Sequence, residues 1–259
     1  MRLRQIAIVV ADLEPAVGLF EDVFGLHVCH RDPVVAKWGL ANALLPLGHD
    51  FVEVLAPTRP DTTATRYLAR RGGDGGYMVI LQCADGLALR RRLSGAGVRV
   101  VHTADRGPYH CTQYHPADVG GTLLEVDSMD GVADHLAPEA AWAPAGNAWL
   151  PRVDTRVAHR IAGVAIQSAD PAAMAETWSR VLDRPLRADG AGAQHLTLDD
   201  GAQIRFVPAA DGRGDGFSEL DVVADVDAVL AAARARGLPV AGRQVSLCGL
   251  RVNLRPGQA

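Results

Sequence analysis

"RQIAIVVADLEPAVGLFEDVFGL", residues 4–26, decides the fold, because its hydrophobic period changes once and at a defined place. Residues 4–10 form a β-rich run. From Leu13 onward, Leu13, Val17, Phe20 and Phe24 recur at helical spacing. Asp12 stands where a helix N-cap belongs and Gly25 where a helix stops, so the stretch predicts a strand followed by a helix. Two strand-like runs follow, "VVAKWGLANALLPL" (34–47) and "DFVEVLAP" (50–57), separated by a turn at Gly48 and Asp50. The order is β-α-β-β.

The same order then returns. Residues 77–126 read as strand "YMVILQC", helix "GLALRRRLSGAG", strand "VRVVH", then "HCTQYHP" and "GGTLLEVDS". A third pass opens with "HRIAGVAIQSADPAAMAETWSRVLDRPL" (159–186), which overlays the first with Asp170 on Asp12 and Trp178 on Phe20. "AQIRFVPA" supplies its strand, and residues 219–240 with 247–256 supply a fourth. Units that repeat in this way cannot bury their sheets alone and must pair. The expectation is an α+β chain of four βαβββ modules, paired into two cup-shaped mixed sheets with helices on the outer faces. Residues 1–128 form the first domain and 158–259 the second, joined by an Ala- and Pro-rich linker over 129–157 that packs along the surface.

Composition narrows the function. With 259 residues, 48% hydrophobic and 22% charged, the chain can bury real cores. A net charge of -4 with scattered Arg offers no footprint for nucleic acid. The apolar run at the start is too short to span a bilayer and carries no cleavage region, so no membrane partner and a cytoplasmic location are expected. Cys29, Cys83, Cys111 and Cys248 show no CxxC spacing and read as reduced packing residues. "RRGGDGGYMV" (70–79) puts its glycines before a strand, the reverse of a phosphate-binding loop, and reads as a connection that could also cover a cavity.

One charge stands out. Glu53 sits among Phe51, Val52, Val54 and Leu55, where an unpaired carboxylate is costly to bury. Either strand alternation turns it to water, or something offsets it. Parity puts Val52 and Val54 on the face opposite Glu53, Leu124 and Val126 opposite Glu125, and Ile6, Ile8 and Val10 opposite Gln5. On each of these three strands the polar residue thus faces away from its apolar neighbours.

At this point "RQIAIVVADLEPAVGLFEDVFGL", "FVEVLAP" and "YHPADVGGTLLEV" resemble the vicinal oxygen chelate superfamily of glyoxalases, bleomycin-resistance proteins and extradiol dioxygenases. Residues 1–128 are closest to its methylmalonyl-CoA epimerase and glyoxalase-like domains. The resemblance implies a cup in which side chains from the first and last strand of each module hold a divalent metal. Those positions are Gln5 and Glu53 in the first module, and Met78 and Glu125 in the second. Gln5, Glu53 and Glu125 would hold Mn, Fe, Ni, Mg or Zn, and Glu125 or Glu53 would move a proton. Met78 departs from the pattern, since a histidine is usual there. His110 and His115 are possible extra ligands, although neither occupies a family ligand position.

Asn42, Met78, Tyr114 and Arg205 are candidate substrate contacts, with Trp38 as further lining. The second half places Gly163, Arg205, Ser218 or Glu219, and Asn253 at the corresponding positions and reads as a degenerate copy. Two functions follow. One is a divalent-metal-dependent lyase, isomerase or epimerase acting on a small 2-oxo or thioester metabolite. The other is a metal-free small-molecule binder of the bleomycin-resistance type. An extradiol dioxygenase fits less well, because its two-histidine, one-carboxylate set is missing. The chain would act as a monomer or homodimer.

Overall fold

The computed structural model describes residues 1–190 and 192–257; the last two positions of the expected second domain lie outside the described residues. The architecture is α+β, built from four sets of strands, each with a helix. The first set is β1 (Arg2–Val9), α1 (Leu13–Phe24), β2 (Leu40–Leu47) and β3 (Asp50–Pro57). A connecting helix α2 (Thr63–Arg71) leads to β4 (Gly75–Gln82), α3 (Gly86–Gly95), β5 (Val100–Arg106), β6 (Tyr109–Tyr114), the single turn α4 (Pro116–Val119) and β7 (Leu123–Met129). The third set is β8 (Ala158–Ser168), α5 (Pro171–Leu182), β9 (Arg187–Ala188), β10 (Gln194–Thr197) and β11 (Gln203–Pro208). The fourth is β12 (Gly216–Ala224), α6 (Val226–Ala235), β13 (Val240–Ala241), β14 (Gln244–Leu247) and β15 (Leu250–Pro256).

Every set follows one pairing rule. Its first and last strands run parallel, as β1 with β3, β4 with β7, β8 with β11, and β12 with β15. Parallel neighbours need a crossover, and the helix after each first strand is part of it. The strand before it adds antiparallel to the last one, and in the second, third and fourth sets β5, β9 and β13 add antiparallel to β6, β10 and β14 in turn.

By contacts the chain divides into two compact units that do not follow its two halves. One comprises Met1–Arg4, Tyr77–Ala143 and Gly163–Phe217, and so holds the second and third sets. The other comprises Gln5–Gly76, Pro144–Ala162 and Ser218–Ala259, and holds the first and fourth. Within the former, Trp178 of α5 is fully buried against Phe206 of β11, and its indole N–H donates to the carbonyl of Gly120 beyond α4 (3.2 Å). Burying a ring of that size is worth several kcal/mol, on the order of 25 cal/mol per Å² over about 200 Å². Within the latter, Phe20 and Phe24 stack at 6.1 Å, and Asp22 of α1 pairs with Arg236 beyond α6.

Three local expectations change. Gly25 does end α1 in the left-handed region (φ 68), but the Asp12 side chain makes no capping bond, while Asp170 does cap α5 through the amide of Ala173. "VVAKW" forms no strand. Asp32 accepts from the amide of Val34, Pro33 fits a first helical turn and Gly39 stops it, so Pro33–Trp38 is a 3-10 helix. The stretch 129–157 is no surface linker along its whole length. Trp142 and Trp149 are 1% and 4% exposed. In the first unit Arg2 donates to the carbonyl of Ala137 and Arg4 to that of Ala140 (2.7 Å), with the Arg4 guanidinium over the Trp142 ring. In the second, Trp149 packs edge-on against Phe51 and His49.

Candidate functional site

In the unit that holds the first set, β1, β2 and β3 converge on Glu53. The parallel register places Ala7 opposite Glu53 and Gln5 opposite Phe51, so Gln5 and Glu53 share a face while Ile6, Ile8, Val52 and Val54 pack on the other. On that face the Gln5 amide donates to Glu53 Oε2 (2.9 Å) and the Asn42 amide to Oε1 (2.7 Å). Asn42 is held in turn, its Oδ1 accepting from the backbone amide of Asp32 (2.8 Å). All three side chains are nearly buried, with Gln5 2%, Asn42 3% and Glu53 9% exposed. Strand alternation therefore does not turn Glu53 to water; two carboxamides partner it.

In the unit that holds the second set, Glu125 occupies the matching place on β7. It lies opposite Ile80 on β4 and Gln113 on β6, and the Gln113 amide donates to its Oε2 (2.7 Å). Burial raises the Glu125 carboxyl above its ordinary range, with Gln113 pulling the other way. Asp127, two residues on and on the same face, is raised well above its range by burial and then by the charge of Glu125. The Tyr109 phenol donates to Asp127 Oδ2 (2.8 Å) and is itself pushed up by burial. Cys111, opposite Asp127 on β6, completes the group: one ligand atom each from Cys111, Glu125 and Asp127 lie within 4.8 Å of one another, all buried. Sequence parity could have found Cys111 and Asp127, because each is two residues from a group already singled out, Gln113 and Glu125.

The registers tie the four sets together. In the first, the last-strand residue Glu53 lies opposite the position two after Gln5; in the second, Glu125 lies opposite the position two after Met78. In the third set the same rule gives Gly163 and Arg205, since Arg205 pairs with Ala165. In the fourth it resolves the choice between Ser218 and Glu219, since Asn253 pairs with Asp221 and so selects Glu219. There the acid and amide have traded strands. Asn253 donates to Glu219 Oε2 and Asp221 Oδ1 (both 2.9 Å), Gln244 donates to Asn253 Oδ1 (2.7 Å), and Arg251 and Arg255 pair with Glu219 and Asp221. Two guanidinium groups balance two carboxylates, so this set resembles a closed ion-pair network more than an open ligand set.

The other expected residues fall as follows. Met78 is buried opposite Leu123, on the face of Glu125. Tyr114 lies opposite Leu124, on the reverse face from Glu125, because an even offset from Gln113 is needed to share its side. It is fully buried, and burial pushes its phenol up to about 12. His110 also points away from Glu125, being opposite Ser128; its ring bonds Asp105 and Asp130. His115 caps α4, accepting from the amide of Ala117 (3.1 Å). Arg205 is half-buried between Ala165 and His195. Trp38 is 42% exposed, with the Lys37 ammonium 4.0 Å from its ring centre. All four cysteines are free, and among the described residues no helix is long and apolar enough to cross a membrane.

Comparison with known proteins agrees with this architecture. A family model described as glyoxalase-like domain matches residues 6–182. An ethylmalonyl-CoA/methylmalonyl-CoA epimerase of Cereibacter sphaeroides is 27% identical over 133 residues, covering 49% of this chain and 98% of that protein. Among solved structures, a mutant of 4-hydroxymandelate synthase from Streptomyces coelicolor superposes with a TM-score of 0.68 at 18% identity, over 91% of this chain and 75% of that one. Methylmalonyl-CoA epimerase from Mycobacterium tuberculosis matches 49% of this chain and 87% of its own length, at 28% identity and a TM-score of 0.44.

Proposed function

We propose, on the premise that this chain belongs to the glyoxalase-like domain family, as the match over residues 6–182 shows, that it is a divalent-metal-dependent lyase, isomerase or epimerase. Its substrate would be a small oxygenated metabolite, a 2-oxo compound or a thioester, from which a proton beside the carbonyl is moved. One observation carries this reading. Glu53 and Glu125 stand at the same register position of two strand sets, each nearly buried and each held by a carboxamide from the neighbouring antiparallel strand. Buried carboxylates held at fixed angles on rigid strands are what general acid–base chemistry needs, and a raised carboxyl such as that of Glu125 takes up a proton more readily near neutral pH. The curated relative named as an epimerase of two CoA thioesters supports the thioester class over other substrates.

Each unit by itself offers donors that suit a divalent ion: Glu53 with the Gln5 amide group in one, and in the other Glu125 with the fully buried Asp127, whose Oδ1 has no N–H or O–H donor. When bound, the metal supplies Lewis-acid polarisation of the substrate carbonyl. The protein's part is otherwise its own. Asn42 orients Glu53 and Gln113 orients Glu125, and each carboxylate can exchange a proton with a substrate carbon held on its own face. The apolar strands around them exclude water, which strengthens each charge interaction. Met78 and Asn42 would contact the substrate from the same faces as the acids.

A metal-free binder is the second reading. It is favoured by Glu53, whose two oxygens each already accept a carboxamide proton, and by Met78 where an imidazole is usual in the superfamily. Elemental analysis of chain purified without tag or chelator, beside Glu53→Ala and Glu125→Ala, separates the two. Near-stoichiometric metal that falls in either variant supports the enzyme. No metal, even after incubation with Mn, Fe, Ni, Mg or Zn, leaves the binder.

A further inference from the structure

The face of β4, β7 and β6 holds more buried acceptors than donors. Gln82, Asp127 and Cys111 form one cross-strand row, because Asp127 is opposite Gln82 on one side and Cys111 on the other. Gln82 and Asp127 are both 0% exposed. The two donors close at hand are spent: the Tyr109 hydroxyl on Asp127 Oδ2, and the Gln113 amide on Glu125 Oε2. The Gln82 amide nitrogen turns the other way, to the carbonyl of Ala141 (3.3 Å). That leaves Asp127 Oδ1 and Gln82 Oε1 as buried oxygens with no N–H or O–H donor, and only the weakly donating Cys111 thiol opposite Asp127. A buried, unpaired carboxylate oxygen is expensive, and a second orphan acceptor beside it deepens the deficit of positive charge.

We propose that Cys111, Glu125 and Asp127, with Gln82 Oε1 as a fourth donor, form a binding site for a divalent transition ion that accepts mixed sulfur and oxygen ligands, zinc being the representative. The ligand atoms lie within 4.8 Å of one another, and two tetrahedral ligands at about 2.0–2.3 Å from one ion stand about 3.3–3.8 Å apart, within about 1 Å of that separation. Closing round an ion therefore asks only for small side-chain adjustments. A thiolate selects zinc, iron(II) or cobalt(II) over magnesium or calcium, so the site narrows the metals that the family alone allows. Tyr109 and Gln113 take the outer positions, each holding one oxygen of a ligand carboxylate in place. The inference deepens the metal part of the function proposed above, and rests on that reading only for Glu125 as a ligand. It needs neither Glu53 nor any particular reaction.

Cobalt(II) titration of chelator-treated full-length chain, followed in the near ultraviolet, tests it, because only a cobalt–thiolate bond gives the charge-transfer absorption. One saturable equivalent with that band is expected. Cys111→Ser should abolish the band, Asp127→Asn should weaken cobalt binding at least about tenfold, and Cys29→Ser, at a free cysteine outside this group, should leave the band in place. Circular dichroism of each variant confirms folding, and Asp127→Asn, which is isosteric, keeps the test open should the cysteine variant fail to fold. Cobalt bound without the band, and unaffected by either variant, overturns the site while leaving a metal-dependent function standing. No cobalt bound at all overturns both.

Discussion

Replacing Glu53 by alanine gives the sharpest account of what this carboxylate does for the fold. The change removes the acceptor of two donors, the Gln5 and Asn42 amide nitrogens, in a place where those residues are 2% and 3% exposed. Asn42 cannot simply turn over, because its Oδ1 already accepts from the amide of Asp32. Each donor that loses its acceptor costs about 1–3 kcal/mol, so Glu53→Ala should destabilise by about 2–6 kcal/mol. For a chain of this size a loss near 3 kcal/mol lowers Tm by about 6–12 °C. Glu53→Gln keeps an acceptor for Asn42, and its new amide can meet the Gln5 oxygen if Gln5 rotates, so its loss should be about 1 kcal/mol. The assay is thermal and urea unfolding by circular dichroism in chelator, with both variants beside the parent. A Glu53→Ala chain as stable as the parent, or more so, would refute the reasoning. It would mean that the carboxylate is held at a cost to the fold, as strained functional groups are.

Three further outcomes follow from the same structure. Glu125 and Asp127 are both raised in the folded chain, so folding takes up protons above the unfolded range near pH 4, and stability falls as pH rises from there toward the folded values. Asp127→Asn removes one of the pair and can donate to Glu125; in chelator it should add about 1–3 kcal/mol at pH 8 and almost nothing at pH 4, read by urea midpoints. Gly48→Ala should cost about 2–4 kcal/mol, because φ is 61 and a Cβ would lie 1.8 Å from the carbonyl oxygen of His159; an unchanged Tm would contradict the turn as drawn. Trp178→Ala should cost about 3–5 kcal/mol through the cavity it leaves and the lost bond to Gly120, and a loss below about 1 kcal/mol would deny it a place in the core.

Much of this was legible before any coordinates. The switch from a β run to helical spacing at residues 4–26 marks β1 and α1, and the overlay of Phe20 on Trp178 pairs two side chains that are both fully buried, one under each helix. Strand parity turned Gln5 and Glu53 each away from its apolar neighbours, the family resemblance put both in one cup, and the register of β1 with β3 sets them on one face, where they bond. What escaped depends on pairing or on weak local signals. α2 carries a Thr62 cap and an Arg-rich sequence whose apolar stripe is too thin to announce a helix. In 129–157 the Ala and Pro content hid the two residues that matter, Trp142 and Trp149, and large aromatics in an otherwise aperiodic stretch are the signal to look for. The row of Gln82, Asp127 and Cys111 joins three strands, so their alternation is visible in sequence but their alignment is set by register. Tyr114, a candidate substrate contact, and His110, a possible extra ligand, each lie one residue off the parity of Gln113 and Cys111, which turns both to the face away from Glu125.

The most direct measurement is solvent proton exchange. The metal-loaded chain is incubated in D2O with an α-branched malonyl-type CoA thioester and with a 2-oxoaldehyde thiol adduct, and deuterium at the carbon beside the carbonyl is followed by NMR. Exchange on one of them, slowed by about 10²–10⁴ in Glu125→Gln or Glu53→Gln, is the predicted result. No exchange on either, or exchange that both variants leave untouched, would contradict a proton-moving role for the two buried carboxylates.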